Sequence, residues 1–142
     1  MEFTKMTCVA CIDNLDKVID FVEGCADRVG LKGMRKSRML VAIEEAFVNV
    51  CHYAYPGGEG KVELACGSEG DVFVVEIADN GVPFNLLSLP DPNTTADIME
   101  RKIGGLGVYL IRRLTDDVSY QRKDGRNILR IDLHIRNAEL LS

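Results

Sequence analysis

Glu45 and Asn49 stand four residues apart in the segment VAIEEAFVNVCHYAYP, residues 41–56. In a helix that starts near Leu40 they lie one turn apart, and His52 falls on the same face. The segment contains no Lys or Arg, although an ordinary solvated face would carry them. Nucleotide-bound Mg²⁺ takes few protein oxygens, so one Asn amide can serve it while a nearby carboxylate acts as general base. A polar helix face without chemistry explains the pair equally well.

Two predicted strands, VFVVEIADNG and NILRIDLHI, each carry a polar side chain in phase with an apolar row. Asp79 follows Phe73, Val75 and Ile77, and Asn127 precedes Leu129 and Ile131 at the same two-residue period. A buried carboxylate needs hydrogen-bond donors, since leaving it unpaired costs about 1–3 kcal/mol or more. The alternative is that Asp79 only caps the turn that follows it, and strand phase leaves both readings open.

Glycines cluster at Gly104, Gly105 and Gly107, before a helical pattern. Glycines let backbone N–H groups approach a ligand closely, and a helix N-terminus favours an anion. Arg101 and Lys102 lie just upstream and could meet phosphate charge. A plain glycine turn is the alternative.

The elements that must position these residues follow from hydrophobic periodicity and from the turn residues. They predict a two-layer α/β sandwich, with helices on one face of a mostly antiparallel mixed sheet. Residues 82–103 have no periodicity and are more typical of a functional lid than of a connector. The predicted elements are strands at 3–9, 62–66, 73–77, 118–122 and 127–135, and helices at 12–29, at 104–114 and from Leu40 to the segment YPGGEGK at 55–61, where Pro56 cannot continue a helix.

Composition narrows the class of protein. A chain of 142 residues suits one domain, and a net charge of −5 without an arginine-rich stripe argues against nucleic acid as the main partner. No apolar run reaches the ~20 residues that span a bilayer, and no secretory signal is visible, so we expect a cytoplasmic protein without membrane contact. Five cysteines favour reduced thiols, and Cys8-x-x-Cys11 lacks the second ligand pair of a zinc site.

Together the motifs resemble the GHKL ATPase superfamily, whose domain has the Bergerat fold. Within it the chain is most similar to the small anti-sigma-factor serine/threonine kinases of bacterial partner-switching systems. The resemblance covers nearly the whole chain and implies a single histidine-kinase-like ATPase domain over residues 1–142, with a lid at roughly 84–103. The matching segments are EAFVN at 45–49 (the N-box), DNGVPF at 79–84, GGLGV at 104–108 and DGRNILRI at 124–131.

The resemblance also implies residue roles for binding ATP and Mg²⁺. Asn49 would coordinate Mg²⁺, Glu45 would be the catalytic base, and Asp79 would accept the adenine amino group. Gly81 would let the purine lie close, and Asn127 stands where the family commonly has Thr. The other expected nucleotide contacts are Pro83, Phe84, Arg101, Lys102, Gly104, Gly105, Leu106, Gly107 and Val108.

The expected function is therefore an ATP-dependent serine/threonine kinase that phosphorylates an anti-anti-sigma-type (antagonist) protein. Sigma-factor binding and a homodimer are further implications of the resemblance. One alternative is a non-catalytic ATP-binding module that sequesters its partner. Another is the ATP-binding domain of a histidine kinase, for which the chain lacks room for a phosphoacceptor helix pair.

Overall fold

The computed structural model describes residues 3–85, 87 and 105–136, with side chains described from Val108 onward in the last stretch. Strand β1 and helix α1 are joined by a short 3-10 turn, and the other elements follow in the predicted order. The bounds are β1 Thr4–Val9, the 3-10 turn Ile12–Asn14, α1 Leu15–Val29, α2 Gly33–Tyr53, β2 Lys61–Glu69, β3 Val72–Asp79, α3 Gly105–Leu114, β4 Asp117–Lys123 and β5 Arg126–His134.

The five strands form one sheet in the order β1-β2-β3-β5-β4, so β3 is central and β1 is an edge as expected. Each pairing between these described strands is antiparallel. One face of the sheet packs against the three helices around a core that includes Phe47 of α2, Phe73 of β3 and Ile111 of α3. This arrangement confirms the predicted two-layer sandwich.

Helix α2 begins at Gly33, well before the predicted start at Leu40. The sequence VGLKGMRKS looked like a loop because of its two glycines. In the structure only a short link is irregular: Gly30 ends α1 with φ 85° and Gly33 has φ 63°, both in the region that favours glycine. The residues after Gly33 then form helix, and Met39 is fully buried.

The cysteines also depart from expectation. A disulfide joins Cys25 of α1 to Cys66 of β2, whereas Cys8, Cys11 and Cys51 are free. Within the described ranges, no cluster of three or more His, Cys, Asp or Glu side chains is arranged to hold a metal ion. The same ranges contain no helix that is long and apolar enough to cross a membrane.

Candidate active site

Asp79 and Asn127 lie directly opposite each other on the neighbouring strands β3 and β5. Their side chains are 5% and 6% exposed, and Asn127 Nδ2 donates a hydrogen bond of 2.8 Å to Asp79 Oδ1. The same oxygen accepts the backbone N–H of Gly81 at 2.8 Å. Asp79 therefore both caps its turn and faces the interior, so the two readings of the sequence are compatible. No described residue donates to its Oδ2.

Asn127 is the centre of a hydrogen-bonded cluster that fixes the start of the segment after β3. Its Nδ2 also donates to the carbonyl of Val82 at 2.8 Å, and its Oδ1 accepts the backbone N–H of Phe84 at 3.3 Å. The hydroxyl of Tyr120 donates to the same Oδ1 at 2.6 Å. The amide orientation of Asn127 is consistent with all of these partners.

Two residues of this cluster were missed from the sequence. Tyr120 of β4 reaches the site through its hydroxyl, and Arg122 Nη1 donates to the carbonyl of Gly81 at 2.8 Å. The signal was present in the two-residue period of β4, which places Val118, Tyr120 and Arg122 on one face. That strand is mostly exposed, so polar residues occur on both of its faces and the inward-facing positions cannot be recognised from hydrophobicity.

Asn49 approaches the same region from helix α2. It is 2% exposed, and its Nδ2 donates to the carbonyl of Glu45 one turn earlier at 2.7 Å. Its Oδ1 is buried and has no hydrogen-bond partner among the described residues. Since an unpartnered buried acceptor costs about 1–3 kcal/mol, this oxygen is suited to receive a ligand. A metal ion that takes a single amide oxygen from the protein fits it.

Glu45 is half-buried and one helical turn before Asn49. Burial raises the pKa of its carboxyl group, and the neighbouring charge of Glu44 raises that pKa further. A raised pKa makes the carboxylate a better proton acceptor near neutral pH. His52, which shares this face in the sequence pattern, is exposed.

A cavity of about 40 Å³ lies between α2 and the ends of β3 and β5. Cavities that hold drug-sized ligands measure about 300–1,000 Å³, and one water occupies about 30 Å³. The ring of Phe84 is one wall of the cavity and stacks on Tyr53 with centroids 5.0 Å apart. The cavity as it stands is therefore too small for a purine, and Phe84 is one of the side chains whose movement would enlarge it. The lining residues are Ala46, Asn49, Val50, Ala54, Ile77, Asp79, Phe84, Tyr120, Asn127 and Leu129.

Gly81 is required by a close approach between the turn after β3 and the end of α2. A Cβ atom at this position would stand 2.1 Å from the carbonyl oxygen of Ala54. That carbonyl accepts the backbone N–H of Val82 at 2.8 Å. Gly81 thus lets the turn dock on the helix that carries Asn49.

The other residues predicted to contact the nucleotide differ in exposure, and several lie outside the described part of the chain. Pro83 is exposed, and the side chain of Val108 is 1% exposed in the core, which leaves only its backbone for a ligand. Gly105, Leu106 and Gly107 form the first turn of α3, where backbone N–H groups have no partner within the helix. Arg101, Lys102, Gly104 and nearly all of the expected lid at 84–103 lie outside the described residues.

Comparison with known proteins decides the family. The model of the histidine kinase-like ATPase domain matches residues 8–133. The chain belongs to this family. The resemblance to GHKL proteins drawn from the motifs is therefore confirmed.

Individual members of the histidine kinase-like ATPase family agree with this assignment. The serine-protein kinase RsbW of Bacillus mycoides (strain KBAB4) is 33% identical over 110 residues, which cover 75% of this chain and 69% of that protein. The serine-protein kinase RsbW of Bacillus cereus (strain Q1) is 34% identical with the same coverage.

Solved structures support the fold alone, because their sequences are distant. The histidine kinase domain of the Erythrobacter litoralis EL346 blue-light activated histidine kinase has a TM-score of 0.53 at 18% identity, covering 85% of this chain and 61% of that one. The Acinetobacter baumannii histidine kinase AdeS has a TM-score of 0.52 at 15% identity, covering 93% and 68%.

Proposed function

We propose that this protein is an ATP-dependent serine/threonine protein kinase that phosphorylates an anti-anti-sigma-type protein. The observation that carries the proposal is the convergence of three polar groups on one cavity: Asn49, Asp79 and Asn127. They come from different elements and are all nearly fully buried. The two relatives that are named serine-protein kinases support the reaction class.

Asp79 and Asn127 bind the adenine end of ATP. The hydrogen bonds from Gly81 and Asn127 hold the Asp79 carboxylate in place, and its Oδ2 accepts the exocyclic amino group of adenine. Guanine has a carbonyl at that position, and two acceptors cannot share a hydrogen bond. The site therefore prefers ATP to GTP.

Asn49 would hold Mg²⁺ through Oδ1, and the hydrogen bond from its Nδ2 to the Glu45 carbonyl orients the amide. When bound, Mg²⁺ neutralises charge on the phosphates of ATP. The first turn of α3, with Gly105, Leu106 and Gly107, offers backbone N–H groups to those phosphates. Arg101, Lys102 and Gly104 complete this phosphate-binding set in the proposal.

Glu45 acts as general base. It accepts the proton of the substrate serine or threonine hydroxyl while that oxygen bonds to the γ-phosphorus, and the bond from phosphorus to the leaving ADP oxygen breaks. The half-buried carboxylate with its raised pKa suits this transfer. Phosphoryl transfer needs positioning and charge neutralisation more than covalent participation, so no nucleophilic side chain is required.

The partners belong to the proposal as well. The substrate is an antagonist protein that offers a serine or threonine, and a sigma factor is a second partner. We further propose that the protein acts as a homodimer in the cytoplasm.

Transfer of the γ-phosphate tests the proposal directly. The purified protein is incubated with γ-labelled ATP, Mg²⁺ and antagonist-type proteins encoded beside it. We expect an acid-stable phosphoserine or phosphothreonine on one of them. Tight ATP binding without transfer to any partner would instead favour the sequestering module. An acid-labile label would indicate phosphohistidine and would contradict the proposed reaction.

A further inference from the structure

The paired cysteines join α1 to β2 and have no role in the proposed kinase reaction. Cys25 and Cys66 are 41 residues apart in the sequence, and their Cα atoms are 6.5 Å apart. Disulfides occur at Cα separations of about 4.4–6.8 Å, so the backbone can hold the bond. The side chains are only 2% and 1% exposed. The pair therefore meets because α1 packs on β2.

A small cavity borders both cysteines. It has a volume of about 140 Å³, and Cys25, Cys66, Thr4, Arg28 and Ser68 are among its lining residues. That volume is several times the ~30 Å³ of one water, so a molecule as small as a peroxide fits in the space beside the two cysteines. None of its described lining residues also lines the candidate nucleotide cavity.

Arg28 makes the two cysteines chemically unequal. Its Nη2 donates to Cys25 Sγ at 3.2 Å and to Thr4 Oγ1 at 3.4 Å. A guanidinium beside a cysteine favours the thiolate, which is the form that attacks an oxidant. Cys25 is thus the attacking sulfur and Cys66 the resolving one.

From the cavity, the Arg28 guanidinium and the two facing sulfurs, we propose that Cys25 and Cys66 are a reversible oxidation site for hydrogen peroxide. The Cys25 thiolate attacks one peroxide oxygen, the O–O bond breaks, and Cys25 becomes a sulfenic acid as one water leaves. The Cys66 sulfur then attacks the Cys25 sulfur, the S–O bond breaks, and the disulfide forms as a second water leaves. Two thiols and one peroxide thereby give one disulfide and two waters, and a thiol reductant reverses the linkage.

The three other cysteines provide an internal comparison. Burial raises the pKa of Cys51 to about 11 and also raises the pKa of Cys8, and among the described residues no arginine donates a hydrogen bond to either sulfur as Arg28 does to Cys25. Cys11 is an exposed free thiol and serves as the reference for unselective oxidation. Peptide mapping can therefore distinguish the proposed pair from unselective oxidation.

The test begins with the fully reduced, folded protein treated with a few equivalents of peroxide. We expect mass spectrometry to find one crosslinked peptide pair, Cys25 with Cys66, while Cys8, Cys11 and Cys51 remain alkylatable. Dithiothreitol should restore both thiols. The triple variant C8S/C11S/C51S, which keeps only the proposed pair, should lose both titratable thiols under the same treatment.

Arg28→Gln should slow crosslinking by about tenfold, because it removes the guanidinium that donates to Cys25 Sγ and favours the thiolate. Arg28→Lys keeps the charge and should retain most of the rate. The proposal is overturned if Cys25 and Cys66 remain reduced when the folded protein is treated with peroxide, although they oxidise readily in denaturant. A crosslinking rate unaffected by Arg28→Gln would overturn the role of Arg28.

Discussion

The two carboxylate oxygens of Asp79 differ in their hydrogen bonds. Gly81 and Asn127 both donate to Oδ1, which fixes the carboxylate and offsets the cost of burying it. The other oxygen receives no bond from a described residue, and the side chain lines the cavity. A carboxylate held in this way can accept a hydrogen bond from a ligand through its second oxygen.

Asp79→Asn should weaken ATP binding by roughly tenfold to a hundredfold, because a hydrogen bond to a charged group contributes about 1.5–3 kcal/mol. Calorimetric titration of wild type and variant measures the change. Asp71→Asn is the matched control, since Asp71 is exposed in the turn between β2 and β3. Equal ATP affinity of Asp79→Asn and wild type would contradict the adenine role.

Glu45 gives a stability prediction that does not depend on activity. Its pKa is raised in the folded state, so its stabilising contribution is present below the unfolded pKa and is lost as pH rises through the folded pKa. At neutral pH the ionised group therefore opposes folding. Glu45→Gln should have a Tm at pH 7 at least as high as that of wild type, with the difference shrinking in acid. A lower Tm at pH 7 would show that the carboxylate is stabilised by contacts.

At the residue scale, a site residue could be predicted from the sequence where its polarity differs from that of the other side chains on the same strand face. Asp79 and Asn127 could be predicted because each is the one polar side chain in a strongly apolar row. Tyr120 and Arg122 lie in a polar edge strand, where inward and outward positions look alike. The lone acceptor on Asn49 could not be predicted, because it depends on which groups surround an amide in three dimensions.

At the scale of elements, the site depends on how the turn after β3 docks on α2. The carbonyl of Ala54 accepts the N–H of Val82, and Asn80 N donates to Tyr55 Oη at 2.8 Å. Arg122 of β4 holds the carbonyl of Gly81 from the other side. Two residues just after the end of α2 and one strand residue thus fix a turn with no core of its own.

Gly81→Ala should disrupt this docking, since the added Cβ meets the Ala54 carbonyl oxygen at 2.1 Å. Overpacking of this kind costs about 1–3 kcal/mol, so the Tm should fall by several degrees and ATP affinity should fall with it. Gly58→Ala is a suitable control, because a Cβ there has no atom within 4 Å. Equal Tm values for the two variants would contradict the docking argument.

The segment that starts at Phe84 should respond to nucleotide. Phe84 lines a cavity too small for a purine, so we expect binding to shift its ring relative to Tyr53. We expect amide hydrogen exchange over residues 82–103, the lid predicted from the sequence, to slow when Mg-ATP is added. Unchanged exchange across these residues at saturating Mg-ATP would remove the lid assignment.

The elements themselves were predicted well where periodicity was strong. The type and order of the strands and helices are as expected, and the turn at Asp124-Gly125 has the positive φ values of 53° and 77° that its sequence favours. The predicted start of α2 was wrong because the two glycines were taken to keep the whole segment before Leu40 irregular, whereas the helix begins at Gly33. Glycine marks a boundary, but the helix-forming residues after it decide how soon the next element begins.

For the whole molecule, the fold brings together groups that are far apart in the chain. Asn49 and Asp79 meet because α2 packs across the sheet, and Asn127 reaches Asp79 through the pairing of β5 with β3. Glu45 lies next to this cavity in the sequence of α2 but is not among the residues that line it. The proposed base thus stands apart from the residues proposed to bind the nucleotide.

This separation makes Glu45→Gln the most direct test of the proposed kinase. The variant keeps the side-chain shape and removes the proton acceptor, so Mg-ATP affinity should hold while transfer of γ-labelled phosphate falls about 10²–10⁴-fold. Glu44→Gln, at the exposed neighbouring position, should retain both binding and transfer. Asn49→Ala should lower both. If Glu45→Gln transfers phosphate to the antagonist protein as fast as Glu44→Gln does, Glu45 is not the base and the proposed mechanism is wrong.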